Sequence, residues 1–294
     1  MFLINKLEYL VFNTAQIDKM RDYYERILGM TLIEGSPEDE VWLGKNSNIP
    51  ELILRKSEKA SLGEAGFSVL GEDELREIKF RLQVRGIEHE ESESELFGKT
   101  LSFKDRDGHP LRVHLLNNVS AEVTKRVPRT GPQLGRIQHV TYASPAPIEL
   151  ANFYEGVLDF RISDKVEGNK FVWLRTDPDH HTVAAAAHVE AGLDHYAFEL
   201  PDWESFKIWC DHLAEEDVEV VWGPGRHGPG NNLFIFTLDP DGNRIEYSAE
   251  MEKFRDKYME FTPRLWKESA QTVNLWGVGA PWARKLPETA DNVH

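Results

Sequence analysis

Cysteine is nearly missing from this chain: Cys210 is the one thiol in 294 residues. An internal disulfide framework is thereby excluded, and the usage fits a reducing compartment, so a cytoplasmic location is expected. Helical spacing groups Cys210 with Phe206, Trp209 and Leu213, the setting of an inert buried thiol. Long apolar runs are missing too. No stretch approaches the length that crosses a bilayer, and no membrane span is expected. The opening MFLINKLEYLVF is interrupted by Lys6 and Glu8 and carries no cleavage-site pattern, so no signal peptide is expected either. Positive charge is in deficit. Lys and Arg number 34 against 50 Asp and Glu, a net charge of −16, which argues against nucleic acid or an anionic membrane as partner. What is present is 40% hydrophobic and 11% aromatic residues, enough at this length for two domains, each with its own core.

Residues 2–12 alternate and read as a strand. Ile17, Met20, Tyr23, Tyr24, Ile27 and Leu28 recur with a helical period that Gly29 stops. Strands are expected at Glu40–Leu43, Glu51–Arg55 and Gly66–Leu70, with a helix from Glu72 to Arg85. The charge-dense EHEESESE (Glu88–Glu95) reads as a solvated loop, and a hairpin around Asp105–Gly108 closes this half. Asn117 to Pro132 lacks periodicity and reads as a linker. Beyond it come a strand (Arg136–Tyr142), a helix (Ile148–Phe160), strands at Phe171–Arg175, Thr182–Ala187 and His195–Leu200, and a helix at Trp203–Glu215. Leu233–Leu238 and Arg244–Ser248 form a final hairpin.

The order repeats, and so do residues. YYERILGM (Tyr23–Met30) matches FYEGVLDF (Phe153–Phe160) at an offset of 153 − 23 = 130. DRDG (Asp105–Gly108) matches DPDG (Asp239–Gly242) at 239 − 105 = 134. The expected fold is α+β, two tandem domains each made of two βαβββ modules. The expected boundaries are 1–118 and 135–250, with a linker at 119–134 and a tail at 251–294. The tail holds Trp266, Trp276 and Trp282, so it is expected to pack as a lid over the second half or to form a subunit interface.

Three candidate metal ligands fall on strands of the second half. Alternation puts His139 on one side of its strand with Ile137 and Thr141, His195 with Ala197 and Glu199, and Glu246 opposite Ile245 and Tyr247. Each then points away from the apolar side, as the lining of a cupped sheet would. Single histidines are commonly surface or hydrogen-bonded core residues, and a Glu after a turn is commonly solvated. The three together supply two imidazoles and a carboxylate, the set of a mononuclear non-haem Fe(II) site, which Mn(II) also accepts. Carried back by the offsets, His139 falls on Tyr9, His195 on Ala65 and Glu246 on Arg112. Only the second half can hold the metal.

HHTVA (His180–Ala184), LDHYAFEL (Leu193–Leu200) and GPGRHGPGNNLFIFTLDPDGNRIEYS (Gly223–Ser248) carry a resemblance. The chain resembles the type I extradiol ring-cleaving dioxygenases of the vicinal oxygen chelate superfamily, in the catechol and homoprotocatechuate 2,3-dioxygenase branch. The resemblance spans roughly residues 5–250 and implies cleavage of a catechol by dioxygen at Fe(II), with His139, His195 and Glu246 as ligands. It makes His181 the histidine that contacts dioxygen and supplies a proton, a role open to an imidazole near neutral pH. His227 matches the histidine that hydrogen-bonds the substrate hydroxyl, Asn231 a position that orders its loop, and Trp173 a pocket-wall aromatic that core packing explains equally well. The family usually has a Tyr ten residues before the carboxylate ligand; here that position is Phe236. Thr141 and Trp222 stand where homoprotocatechuate-cleaving members carry Asn and Arg. An apolar wall of Trp222, Trp173 and Phe236 therefore suits a neutral or apolar-substituted catechol. A homo-oligomer is expected. The rival readings on the same fold are a metal-dependent isomerase or lyase of the glyoxalase type and a small-molecule sequestration protein.

Overall fold

The computed structural model describes residues 2–45, 49–94, 96–115, 131–256 and 260–282, and the expected linker lies largely outside them. The first half runs β1 (Lys6–Thr14), α1 (Ile17–Arg26), β2 (Thr31–Leu32), β3 (Glu40–Gly44), β4 (Leu52–Lys56), β5 (Ser61–Val69), α2 (Glu72–Val84), β6 (His89–Ser94), β7 (Gly98–Lys104) and β8 (Pro110–Leu115). The second runs β9 (Ile137–Ser144), α3 (Pro147–Leu158), β10 (Arg161–Val166), β11 (Phe171–Arg175) and β12 (Val183–Ala187), then β13 (Gly192–Leu200), α4 (Trp203–Glu215), β14 (Trp222–Arg226), β15 (Leu233–Leu238) and β16 (Arg244–Ala249). From the tail come β17 (Arg264–Trp266) and α5 (Ala270–Val273). Each half is thus two βαβββ units forming one sheet. The strand order is β2-β3-β4-β1-β5-β8-β7-β6 in the first and β10-β11-β12-β9-β13-β16-β15-β14 in the second, where β17 adds beside β10.

The helices cover one side of each sheet, and the apolar residues that alternation predicts meet there. Leu10, Phe12, Tyr24, Ile78, Tyr154, Val157, Phe198 and Trp209 belong to one buried cluster that continues across both halves. Each such side chain contributes roughly 1.5–3 kcal/mol by leaving water. The halves grip each other reciprocally. Tyr24 of α1 donates to Asp239 in the DPDG turn at 2.8 Å, and Tyr154 of α3 donates to Asp105 in the DRDG turn at 3.4 Å. The helix stops are matched as well: Gly29 and Asp159 both take left-handed backbone at φ 63, which Gly adopts freely and Asp tolerates.

EHEESESE is not a loop. Residues 89–94 form β6, the edge strand paired with β7, and all but His89 are exposed. Charge density hid the strand because it serves the edge: a row of Glu side chains discourages pairing with another chain.

The pairing registers also correct one correspondence. Gly66 faces Tyr9 on one side and Arg112 on the other, while Ala197 faces His139 and Glu246. Ala197 therefore corresponds to Gly66, an offset of 197 − 66 = 131, and His195 corresponds to Glu64 rather than Ala65. The offset drifts from 139 − 9 = 130 at β9 to 246 − 112 = 134 at β16, so a single offset carried along the chain slips by one residue. Even the bulge is duplicated. Gly63 is skipped between the pairs Leu62–Phe12 and Glu64–Val11, and Asp194 between Leu193–Tyr142 and His195–Thr141.

Candidate metal centre

Three neighbouring strands of the second sheet bring the ligands together. On β9 and β16, His139 and Glu246 both sit opposite Ala197 of β13, whose small side chain leaves the space between them open. His195, two residues back on β13, shares that face. One ligand atom from each of the three lies within 4.8 Å of the others. His139 Nε2 is 3.1 Å and His195 Nε2 3.2 Å from Glu246 Oε2, with His139 and Glu246 almost wholly buried. The bulge at Asp194 has a purpose here: it turns that carboxylate onto His195 Nδ1 at 2.6 Å, which aims Nε2 at the other ligands. Arg244 holds Asp194 in turn at 2.8 Å. Glu246 Oε1 accepts a hydrogen bond from Asn232 Nδ2 at 2.8 Å.

The electrostatics suit a cation. Burial opposes the charge on Glu246, yet the imidazoles of His139, His195 and His227 hold its carboxyl well below the usual range. Burial would also keep His195 neutral, but Asp194 and Glu246 outweigh it and push it up to about 9. A divalent ion must displace that proton to bind. Burial lowers His139 despite Glu246, and lowers His181 further because other imidazoles surround it. Two imidazole nitrogens and a carboxylate oxygen, with no sulfur donor, fit Fe(II) or Mn(II) and leave coordination positions free.

Around these ligands, the His181 ring packs against His139 with centroids 4.3 Å apart. His227 Nε2 lies 3.6 Å from Glu246 Oε1, and its Nδ1 donates to the Val273 carbonyl of the tail. Thr141 Oγ1 is 3.0 Å from His195 Nε2. Phe236 meets the His195 ring edge-on at 5.1 Å, and Trp222 packs on Phe236 at 5.2 Å. Two further predicted residues make contacts of their own. Trp173 stacks on Phe171 at 4.3 Å in a cluster with Ala184 and Trp266. Asn231 is exposed in a left-handed turn, and its carbonyl accepts from Arg226. Its neighbour Asn232 makes the contact with Glu246. Sequence reasoning also missed Asp194, whose signal was its place just before His195, and it named Trp282 in the tail without assigning it to the site. Trp282 reaches Phe236 at 5.3 Å and Trp222 at 5.4 Å.

The sequence profile of the glyoxalase/bleomycin resistance protein/dioxygenase superfamily matches the chain twice, over residues 6–113 and 136–247. The chain belongs to that superfamily. Among curated proteins it is 23% identical to the iron-dependent extradiol dioxygenase of Rhodococcus jostii (strain RHA1), over 93% of this chain and 96% of that one. Among solved structures, the Mn(II)-bound glyoxalase from Novosphingobium aromaticivorans superposes with a TM-score of 0.83 at 20% identity, covering 96% of this chain and 94% of the other. The substrate complex of homoprotocatechuate 2,3-dioxygenase from Brevibacterium fuscum gives 0.80 at 21% identity, covering 95% and 90%. These superpositions share the superfamily fold.

On that fold, the tail of this superfamily member packs over the metal-ligand side of the second half. β17 pairs with β10, and Trp266 lies against Gly228, where an added Cβ would come within 2.9 Å of its ring. The glycine of GPGRHG thus permits the tail to sit where Val273 reaches His227. Arg244 lies under the Trp282 ring at 4.6 Å, so one arginine supports both the aromatic wall and Asp194. Among the described residues, no helix is long and apolar enough to cross a membrane.

Proposed function

We propose that this protein cleaves a catechol-type ring next to its diol, using dioxygen at a mononuclear Fe(II), with Mn(II) accepted by the same donors. The observation that carries the reading is the convergence of His139, His195 and Glu246 in one cup, with His181 and His227 at its margin. The curated relative's iron-dependent extradiol activity supports it. His139, His195 and Glu246 would hold the metal. When bound, it lets electrons pass between an aromatic diol and dioxygen and holds both in reach of each other.

The remaining chemistry belongs to side chains. His227 donates its Nδ1–H to the Val273 carbonyl, so in the neutral ring Nε2 is left to accept a hydrogen bond from a substrate hydroxyl. With Phe236 in place of the family's Tyr, that hydrogen bond has no phenol beside it. His181 handles the proton that the dioxygen side of the reaction requires. Trp222, Phe236 and Trp282 form an apolar wall that excludes water.

That wall supports a neutral or apolar-substituted catechol. Among the described residues, Arg226 pairs with Glu250, Arg264 with Asp164 and Glu252, and Arg244 with Asp194. An unpaired substrate carboxylate would cost several kcal/mol to bury, and about 1.4 kcal/mol is tenfold in rate. The protein is taken to work in the cytoplasm as a homo-oligomer. Anaerobically purified, Fe(II)-loaded protein should consume oxygen and turn yellow with catechol. Its kcat/KM for 3- or 4-methylcatechol or 2,3-dihydroxybiphenyl should exceed that for homoprotocatechuate by at least about tenfold. Metal-loaded protein that does neither favours a glyoxalase-type isomerase or a sequestration protein. A win for the carboxylate substrate removes the apolar-wall reading alone.

A further inference from the structure

His195 is held on two sides. Its Nδ1 meets the Asp194 carboxylate at 2.6 Å, and its ring meets Phe236 edge-on with centroids 5.1 Å apart. Followed outward, both supports reach the same residue. Phe236 packs against Trp282 of the tail at 5.3 Å. Asp194 is gripped twice by Arg244, whose Nε donates to the Asp194 carbonyl at 2.9 Å and whose Nη2 donates to Oδ2 at 2.8 Å. The same guanidinium lies 4.6 Å from the centre of the Trp282 ring. One tail tryptophan thus ends two separate paths that start at one metal ligand.

The chemistry of arginine gives that contact its weight. A guanidinium uses its edge for hydrogen bonds and its face for a ring, so Arg244 holds both parts of Asp194 and Trp282 at once. Its side chain is already 23% exposed. Removing the indole would wet the covered face as well, and an ion pair surrounded by water holds its partners less firmly. The first half lacks these supports together with the ligands. Register puts Gly63 at the place of Asp194, Ser102 at that of Phe236 and Pro110 at that of Arg244. Those three supply no carboxylate, no ring to pack and no guanidinium.

We propose that Trp282 is a positioning residue for His195, and that tail closure over the cup and metal binding reinforce each other through Arg244, Asp194 and Phe236. The proposal rests on the reading of His139, His195 and Glu246 as metal ligands and is independent of the reaction. Such coupling is reciprocal: a tail that strengthens metal binding is itself held more firmly, by the same factor, once the metal is bound.

The test uses metal-free full-length protein titrated with Mn(II) against a chelator of known affinity, with neither catechol nor oxygen present. Trp282→Ala should weaken Mn(II) binding at least about fivefold, the lower end of ordinary coupling between sites. Trp282→Phe keeps a ring face for Arg244 and should recover most of the loss, a rescue that mere filling of the wall by Trp282→Leu should not match. In an Asp194→Asn background, Trp282→Ala should cost less than it does alone, because one of the two paths is already cut. Equal losses in the two backgrounds overturn the path through Arg244. In the unmodified protein, saturating Mn(II) should slow amide hydrogen exchange across residues 264–282 by at least about fivefold. Unchanged Mn(II) affinity in Trp282→Ala, or tail exchange indifferent to Mn(II), overturns the proposal while the ligand set stands. Unmodified protein that binds no Mn(II) or Fe(II) overturns the ligand set and the coupling together.

Discussion

The two halves share a cup and fill it differently. In the first, Tyr9 donates to Glu64 at 2.7 Å and Arg112 pairs with Glu64 at 2.9 Å, in the places where the second half has His139, His195 and Glu246. The first set is closed: its one carboxylate already has a cation and a donor. The Tyr9 ring also lies over Gly66, where any Cβ would come within 2.1 Å of it, and stacks on Phe97 at 4.6 Å. The second set has a carboxylate facing three imidazoles and the Asn232 amide, with Ala197 leaving room above the sheet. The surroundings diverge in step. Register pairs Ile53 with Val11 and Ala184 with Thr141, an offset of 184 − 53 = 131, so Ile49 and Pro50 stand where the second half has His180 and His181. Gly63 likewise stands where Asp194 orients His195. The fold supplies the cup. Whether the side chains lining it satisfy one another decides whether it can take a metal.

The largest expected effect breaks that comparison outright. His139→Ala, His195→Ala or Glu246→Ala should each abolish stoichiometric metal binding, whereas Tyr9→Phe, Glu64→Gln or Arg112→Met should leave it intact. Elemental analysis of the purified variants measures both outcomes. A full complement of metal in Glu246→Ala would remove that residue from the ligand set.

Next in size is His181, where the first half has Pro50. His181→Asn should keep metal and catechol binding and slow the oxygen-dependent steps by about 10²–10⁴-fold, the usual worth of a positioned acid–base group. Stopped-flow mixing of the anaerobic substrate complex with oxygenated buffer reads it. Unchanged rates would move the proton handling elsewhere.

Asp194→Asn should come third. The amide still reaches His195 Nδ1 but without charge, and loss of such a partner weakens metal affinity about 10–100-fold. Competition against a chelator of known affinity measures it, and an unchanged affinity would mean the bulge only shapes the strand.

Much of this was legible in the sequence. The duplicated helices, the DRDG and DPDG turns and the alternation around His139, His195 and Glu246 stand out because each follows a local period. What stayed hidden depends on partners far along the chain. Asp164 on β10 and Arg264 on β17 are a hundred residues apart and show no local sign of meeting. β14 is masked by the glycines and proline of WGPGR, and β6 by its own charge. The loop needed Asn232 rather than Asn231, a choice made by a turn whose left-handed residue no periodicity reveals.

The smallest expected effect sharpens the comparison by asking what the closed set is for. If Tyr9, Glu64 and Arg112 only fill the cup, their worth is that of any partly buried ion pair. Removing one member is costly because it strands the others. Glu64→Leu leaves the Tyr9 hydroxyl and the Arg112 guanidinium without their acceptor, and should destabilise the protein by roughly 1–3 kcal/mol. Arg112 keeps about a quarter of its side chain in water, 27%, which holds the cost toward the low end. Replacing all three with apolar residues of similar volume (Tyr9→Phe, Glu64→Leu, Arg112→Met) strands nothing, and such replacements are often neutral or stabilising. The triple variant should therefore regain most of what Glu64→Leu loses, with metal content and ring cleavage unchanged. Denaturant midpoints of the single and triple variants, followed with metal analysis, make the comparison. A triple variant as unstable as the single one would show that the charged set specifies the shape of the first cup, and that its closure is more than a filled space.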